Sequence, residues 1–284
     1  MADTLDKLVA LMALEPLTEN TFQGNSTDIG TGRIYGGQVL AQALTAAQLT
    51  VSDGKLIHSL HAYFLREGDF RLPVIFKVDL TRDGRSFSTR TVTAIQRDKP
   101  IFIASTSFQI LETGLEYQST MPHVPDPESI PNLRDTDTTE PSNRLLQLSA
   151  PFDLRPVRSV CSGNNAEETN FHNYLWIKTK HAVASNADLH RAILAYLSDY
   201  GLISTALLPH KMRLGHPTLQ VASLDHGLWL HRPFRIDEWL LYTCEPISTS
   251  GARGLARGQF YTRDGILVAT TIQEGLLRMI KKPE

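Results

Sequence analysis

The sequence predicts an α+β protein made of two helix-plus-antiparallel-sheet repeats whose sheets join into one continuous sheet. Three observations predict it. The chain repeats itself: Ser59-Leu60 returns as Ser223-Leu224, Arg97-Asp98 as Arg263-Asp264 and Gln109 as Gln273, at offsets of 164, 166 and 164 residues. One duplication of such a period is not a solenoid, which stacks several short units; it is a domain fused to a copy of itself. Each copy also carries one helix with a buried stripe, and β-rich runs separated by turn signals follow each helix. A sheet that follows a helix can wrap it, and two such units joined edge to edge cover each other's edge strands.

The elements follow in order. After Gly36-Gly37, the residues Val39, Leu40, Ala43, Leu44 and Ala47 mark one face of a buried helix. Strands are predicted over His58 to Leu65, Leu72 to Leu80, Phe87 to Gln96 and Ile101 to Gln109, with Asp83-Gly84 and Asp98-Lys99-Pro100 as turns. In the second copy, Leu189, Ile193, Leu194 and Leu197 give a helix from about Asp188 to Leu202. Strands then follow near Gln220 to His231, Glu238 to Ile247, Gly251 to Thr262 and Ile266 to Leu277. Between the copies, from about Glu112 to Arg158, seven prolines stand among charged and hydroxyl residues, a linker composition. Both an ordered excursion over the surface and a disordered tether fit it, and Leu145-Leu146-Gln147-Leu148 could pack in the former. The domains are thus residues 1–115, a Pro-rich linker over 116–165, and 166–284.

Composition narrows the function by exclusion. A net charge of −2 over 284 residues gives no field that selects nucleic acid or an anionic membrane as partner. With only Cys161 and Cys244, no disulfide framework and no thiolate zinc site can form, which favours a reducing compartment. No basic leader opens the chain and no apolar run approaches membrane-spanning length, so a soluble intracellular protein is expected. There is no G-x-S-x-G elbow, P-loop or dinucleotide glycine pattern.

The duplication points to the chemistry. The second helix carries Asp199, whereas the first, from Gly36 to Thr50, has no Asp or Glu. A surface aspartate is one reading. The other is that one copy alone kept a competent site, with Asp199 its carboxylate. Ser59/Ser223 and Gln109/Gln273 occur in both copies within or at the end of apolar strands, where a polar side chain must find a partner or cost about 1–3 kcal/mol. Beside Asp199, the hydroxyl of Ser223 and the carboxamide of Gln273 would complete a cradle for one water, the requirement of general-base hydrolysis without a covalent intermediate. Gly36 and Gly37 either leave backbone N–H groups open to a polarised carbonyl oxygen of a substrate or merely let the helix pack closely. His58 and His61, three apart on a strand, should face opposite sides and share no metal, while His58 stays a candidate substrate-binding residue.

The strings Tyr35-Gly36-Gly37-Gln38-Val39-Leu40-Ala41-Gln42-Ala43-Leu44, His58 to Arg66, Leu224-Asp225-His226-Gly227-Leu228-Trp229-Leu230-His231-Arg232-Pro233-Phe234 and Gln273 to Arg278 strongly resemble acyl-CoA thioesterase II, the TesB-like group. The resemblance runs nearly end to end. It implies a double hotdog fold and hydrolysis of acyl-CoA to free acid and coenzyme A, with no metal or cofactor. It also implies a homo-oligomer, dimer or tetramer. The family's catalytic Asp, Thr and Gln fall on Asp199, Ser223 and Gln273, so that serine replaces the usual threonine. The chain ends Lys281-Lys282-Pro283-Glu284 rather than in a Ser-Lys-Leu-type signal, so a cytoplasmic setting is expected. Two other functions suit such a fold: acyl-CoA binding without hydrolysis, and dehydration. The second needs a His/carboxylate pair, and His190 is too far along the helix from Asp199 to form one.

Overall fold

The computed structural model describes residues 4–51, 54–135, 149–157 and 171–280. Among them, thirteen strands form one sheet, and the two repeats build matching halves of it. The first half runs β1 (Glu15–Thr18), β2 (Thr21–Gly24), helix α2 (Gly36–Gln48), β3 (Lys55–Phe64), β4 (Val74–Asp83), β5 (Phe87–Gln96) and β6 (Lys99–Ile110), preceded by a short helix α1 (Thr4–Met12). The second runs β7 (Phe152–Val157), β8 (Asn173–Thr179), α3 (Ala187–Ser198), a short α4 (Leu202–Ala206), β9 (Leu219–Ser223), β10 (Asp225–Leu230), β11 (Leu240–Ser250), β12 (Arg253–Thr262) and β13 (Leu267–Met279). The strand order β1-β2-β4-β5-β6-β3 is mirrored by β10-β13-β12-β11-β8-β7, and the halves join antiparallel at β3 and β10 with Gly227 opposite His61. Neither half keeps an edge at the junction, which removes the unpaired backbone a lone half would expose.

The sheet curls around α2 and α3. Ten of the thirteen residues of α2 are buried, and Leu40, Ala41, Ala43 and Leu44 have no exposed surface. Asn186 caps α3 by accepting from the Asp188 and Leu189 N–H groups. The two helices lie antiparallel: Gln48 at the end of α2 donates to Asp188 at the start of α3 (3.0 Å), and Gly37 at the start of α2 meets Asp199 at the end of α3. This is the double-hotdog arrangement that the resemblance implies.

Several sequence expectations need correction. The strand expected over Gln220 to His231 is two strands. Both lie along β13, Ser223 opposite Gly275 and Gly227 opposite Ile272, and a one-residue register shift parts them at Leu224, whose N–H reaches the Glu274 carbonyl and whose carbonyl accepts from Phe64 of β3 on the other side. The Glu274 N–H then goes to the Asp225 carboxylate at 2.7 Å, a site whose burial pushes that carboxyl up from the usual range. The Pro-rich linker is an ordered excursion in its described parts. Trp176 donates to the Pro125 carbonyl, Gln118 spans Gly265 and Leu267, and Met121, Val124 and Ile130 pack on Trp176, Leu241, Tyr261 and Leu267. Its last stretch, Phe152–Val157, is a strand of the second half paired with β8, so that half begins before residue 166. Leu145 to Leu148 and Cys161 lie outside the described residues. The run Ala187–His210 is, against expectation, long and apolar enough by composition to cross a membrane. In the fold it is interrupted at Gly201, whose φ of 86° no helix continues through, and its α3 part of 12 residues, about 18 Å long, is core.

Candidate active site

Asp199 is the C-cap of α3, and its carboxylate points into the seam between the helices and the sheet. One oxygen, Oδ2, accepts from the backbone N–H of Gly37 at 2.9 Å; the other, Oδ1, accepts from Gln273 Nε2 at 2.5 Å. The glycine pair is what permits this approach. A Cβ on Gly36 would sit 2.8 Å from Asp199 Oδ2, and one on Gly37 only 2.2 Å from the Tyr196 carbonyl oxygen. The positive end of α2 therefore faces the carboxylate directly. Close packing and an exposed helix N-terminus, two alternatives in the sequence, are here one feature. The Gly37 N–H serves Asp199 rather than a ligand, whereas the Gly36 N–H, half-buried, has no acceptor among the described residues.

Gln273 lies on the helix-facing side of β13 with no exposed surface. Its Nε2 serves Asp199, and its Oε1 is buried without a hydrogen-bond partner. Ser223 is opposite Gly275 in the β9–β13 ladder and so on the same face as Gln273, one diagonal step away. It is half-buried, and its hydroxyl makes no hydrogen bond among the described residues. Ile203 of α4 lies over Gly275, where a Cβ would meet it at 2.1 Å, and walls this side. The Asp199 carboxylate, the orphaned Gln273 amide oxygen and the Ser223 hydroxyl thus lie on the side of the sheet that meets the start of α2.

His58 does not belong to this group. It bonds Ser107 Oγ at 2.9 Å and packs edge-on against Phe87, six residues from Phe64, which lines the Gly36 side. At 3.3 Å per residue that is about 20 Å away. A bulge between Ile57 and Ser59 also turns His58 to the same face as His61, against the expectation of opposite sides. Among the described residues no three His, Cys, Asp or Glu side chains cluster as a metal would need. His190, nine residues from Asp199 along α3, accepts from the Ile236 N–H.

The Ser59/Ser223 and Gln109/Gln273 equivalences fail as well. The turn between β12 and β13 is one residue longer than that between β5 and β6: Ile95 faces Pro100, but Tyr261 faces Leu267. One residue flips the face of a strand. Gln109 consequently points away from α2 and donates to Glu112, and the true counterpart of Gln273 is Thr106. Ser223 corresponds to Ile57, each one facing its β13 or β6 partner, Gly275 or Phe108. The cap position of Asp199 is held on α2 by Leu49. Where Ala256 leaves space opposite Gln273, the first half has Arg90 opposite Thr106. Its buried guanidinium binds the Thr50 carbonyl and hydroxyl, the Arg82 carbonyl and Asp83. The first half's equivalent position is filled. Arg90→Ala should therefore lower unfolding free energy by on the order of 2 kcal/mol while kcat/KM changes by less than about twofold; denaturant midpoints and steady-state kinetics on one preparation check both.

The sequence reading did not single out His226. It is fully buried on β10, Nε2 lies 2.9 Å from both Ser198 Oγ and Thr271 Oγ1, and burial depresses its pKa to about 3. The unfolded chain takes up a proton near pH 6.5 that the folded one refuses until about 3. Stability is thus whole above 6.5 and falls by about 1.4 kcal/mol per pH unit below it. Denaturation midpoints from pH 7 to 4.5 should show a shallower acid slope for His226→Gln than for wild type.

The family model described as acyl-CoA thioesterase matches residues 147–276, and the acyl-CoA thioesterase N-terminal domain matches 24–109. Acyl-CoA thioesterase 2 of Haemophilus influenzae is 39% identical, over 98% of this chain and 99% of its own. The crystal structure of acyl-CoA thioesterase II TesB2 from Mycobacterium marinum superposes with a TM-score of 0.81 at 36% identity, covering 95% of this chain and 97% of that one. A hot dog fold protein from Alicyclobacillus acidocaldarius, 19% identical with a TM-score of 0.77 and full coverage of both chains, shares the fold.

Proposed function

Because this chain belongs to the acyl-CoA thioesterase family and is thus a thioester hydrolase, we propose that it hydrolyses fatty acyl-CoA to free fatty acid and coenzyme A at one centre per chain, with a water held by Asp199, Ser223 and Gln273 as nucleophile. The observation that carries this reading is the chain Gly37 N–H to Asp199 to Gln273, which leaves the Gln273 Oε1 buried and unpaired. An amide oxygen in that state accepts one hydrogen from water, the Asp199 carboxylate accepts the second, and the Ser223 hydroxyl donates to the water oxygen, which leaves its other lone pair to face the thioester carbon.

As the water oxygen bonds the acyl carbon, Asp199 takes its proton and the carbonyl becomes an oxyanion. The Gly36 N–H at the start of α2 is the donor free to receive it. Collapse of the tetrahedral intermediate breaks the carbon–sulfur bond, and the proton on Asp199 passes to the departing thiolate. No side chain is acylated. Turnover of an acyl-CoA panel read by thiol release, with one turnover in ¹⁸O water, tests the reading: label should appear in the free acid, and an acyl group trapped on a side chain would refute it. The same reading carries a cytoplasmic dimer or tetramer, whose mass in solution light scattering measures.

The serine at 223 gives a prediction of its own. Threonine's β-branch restricts χ1, so Ser223→Thr should keep or modestly raise kcat. Ser223→Ala should lower kcat by about 5- to 150-fold with little change in KM, the range of a hydrogen bond of roughly 1–3 kcal/mol made mainly in the transition state. An inactive threonine variant or a fully active alanine variant would show that the hydroxyl does not hold the water.

A further inference from the structure

His226 makes hydrogen bonds whose directions follow from its partners. The Ser198 hydroxyl already donates its one proton to the Ala195 carbonyl (2.9 Å), and the Thr271 hydroxyl donates to the Gly227 carbonyl (2.9 Å). Each can then only accept from the imidazole, so Nε2 carries the ring proton and shares it between the two oxygens. In the neutral ring the lone pair is left on Nδ1, which is buried and unpartnered.

The two oxygens so joined are not arbitrary. Ser198 is the last residue of α3 and immediately precedes Asp199; Thr271 precedes Gln273 by two on the same buried face of β13. Apart from the contacts of the Asp199 carboxylate itself, tyrosines hold the helix end, Tyr242 donating to the Ser198 carbonyl and Tyr35 to that of Tyr196, and neither of these bonds reaches β13. His226 alone among these three bonds the helix end and the strand at once. We propose that His226 is a positioning residue whose Nε2–H ties the end of α3 to β13 and thereby fixes the separation of the Asp199 carboxylate and the Gln273 amide. The proposal rests on the catalytic reading above. A direct hydrogen bond between those groups is sensitive to drift of either element, and a misplacement of about 1 Å can cost on the order of 10²-fold in rate.

The experiment measures kcat and KM separately for His226→Phe, His226→Gln, Asp199→Asn and the double variant His226→Phe/Asp199→Asn. Phenylalanine fills the ring's space without a donor; glutamine returns an N–H near the Nε2 position. His226→Phe should lower kcat by roughly 10-fold or more with KM within about twofold, and His226→Gln should recover most of that loss. In the Asp199→Asn background the same His226→Phe change should cost less than about twofold, because the geometry it maintains no longer serves a base. Wild-type kcat in a folded His226→Phe protein, or an equal loss in both backgrounds, would overturn the proposal. Should His226→Phe fail to fold, Ser198→Ala and Thr271→Val each remove one acceptor; both should lower kcat without raising KM, and wild-type kcat in both overturns the brace. Full turnover by Asp199→Asn would instead overturn the catalytic reading and the brace with it, whereas a dead Asp199→Asn beside a fully active His226→Phe overturns the brace alone.

Discussion

Asp199→Asn should fold normally and lose hydrolysis by about 10²- to 10⁴-fold, the scale of removing a general base. The substitution preserves volume and changes what each atom offers. The remaining Asn carbonyl oxygen can still accept from the Gly37 N–H, which keeps α2 and α3 together. The new amide nitrogen then faces Gln273 Nε2, donor against donor, until the glutamine amide turns over and presents its oxygen. Turned so, Gln273 offers N–H groups where the water needs an acceptor. Base and orienting oxygen are lost together, while the helix seam survives. A melting temperature within a few degrees of wild type alongside the kinetic loss is the expected pair of results. Normal turnover by the folded variant would show that Asp199 is not the base.

How far the sequence could reach is visible in that same residue. Asp199 stood out because a duplicated helix carried a carboxylate in one copy, and the asymmetry is real: its counterpart is Leu49. The strand Phe87–Gln96 was legible to the residue because Thr, Val, Ile and Phe fill it and turn residues bound it on both sides, even though three of its buried positions, Ser88, Arg90 and Gln96, are polar. Strand β8 was not, because it is buried on both sides: Leu175 and Ile177 reach the helix-side core and Trp176 the cluster beneath the linker, which erases the period of two. The paired polar residues failed for a sharper reason. Offsets of 164 residues imply equivalent faces only if intervening turns match in length, and a single extra residue between β12 and β13 reverses the parity. Gln273 meets Asp199 while its supposed twin, Gln109, lies on the far side of the sheet. A bulge did the same to His58. One-residue irregularities leave little trace in composition or periodicity, yet they decide which way a side chain points. His226 went unread because an internal histidine on an apolar strand resembles any other; its meaning comes from the two hydroxyls brought to it by elements 28 and 45 residues away.

Gly37→Ala should be among the most damaging single-methyl changes in the protein. The added Cβ would lie 2.2 Å from the Tyr196 carbonyl oxygen and 2.5 Å from the Tyr35 ring, where ordinary contact begins near 3.4 Å. The ring can shift, but the carbonyl belongs to the backbone of α3 and is itself held by the Tyr35 hydroxyl. Relief requires the helices to part by about an ångström, and that motion draws the Gly37 N–H away from Asp199. Stability should fall by about 1–3 kcal/mol or more, the usual range for overpacking a well-filled core, and kcat should fall with it because the carboxylate loses the Gly37 N–H. Gly36→Ala separates the two effects. Its Cβ would meet only the end of the Asp199 side chain at 2.8 Å and the Phe64 ring at 3.1 Å, both able to move, so it should spare stability relative to Gly37→Ala and still depress turnover by displacing the base. Chemical denaturation and kcat measured on both variants decide the point. A Gly37→Ala protein as stable as wild type would mean that the helices can separate freely, and then the seam between α2 and α3 could not be what holds Asp199 in place.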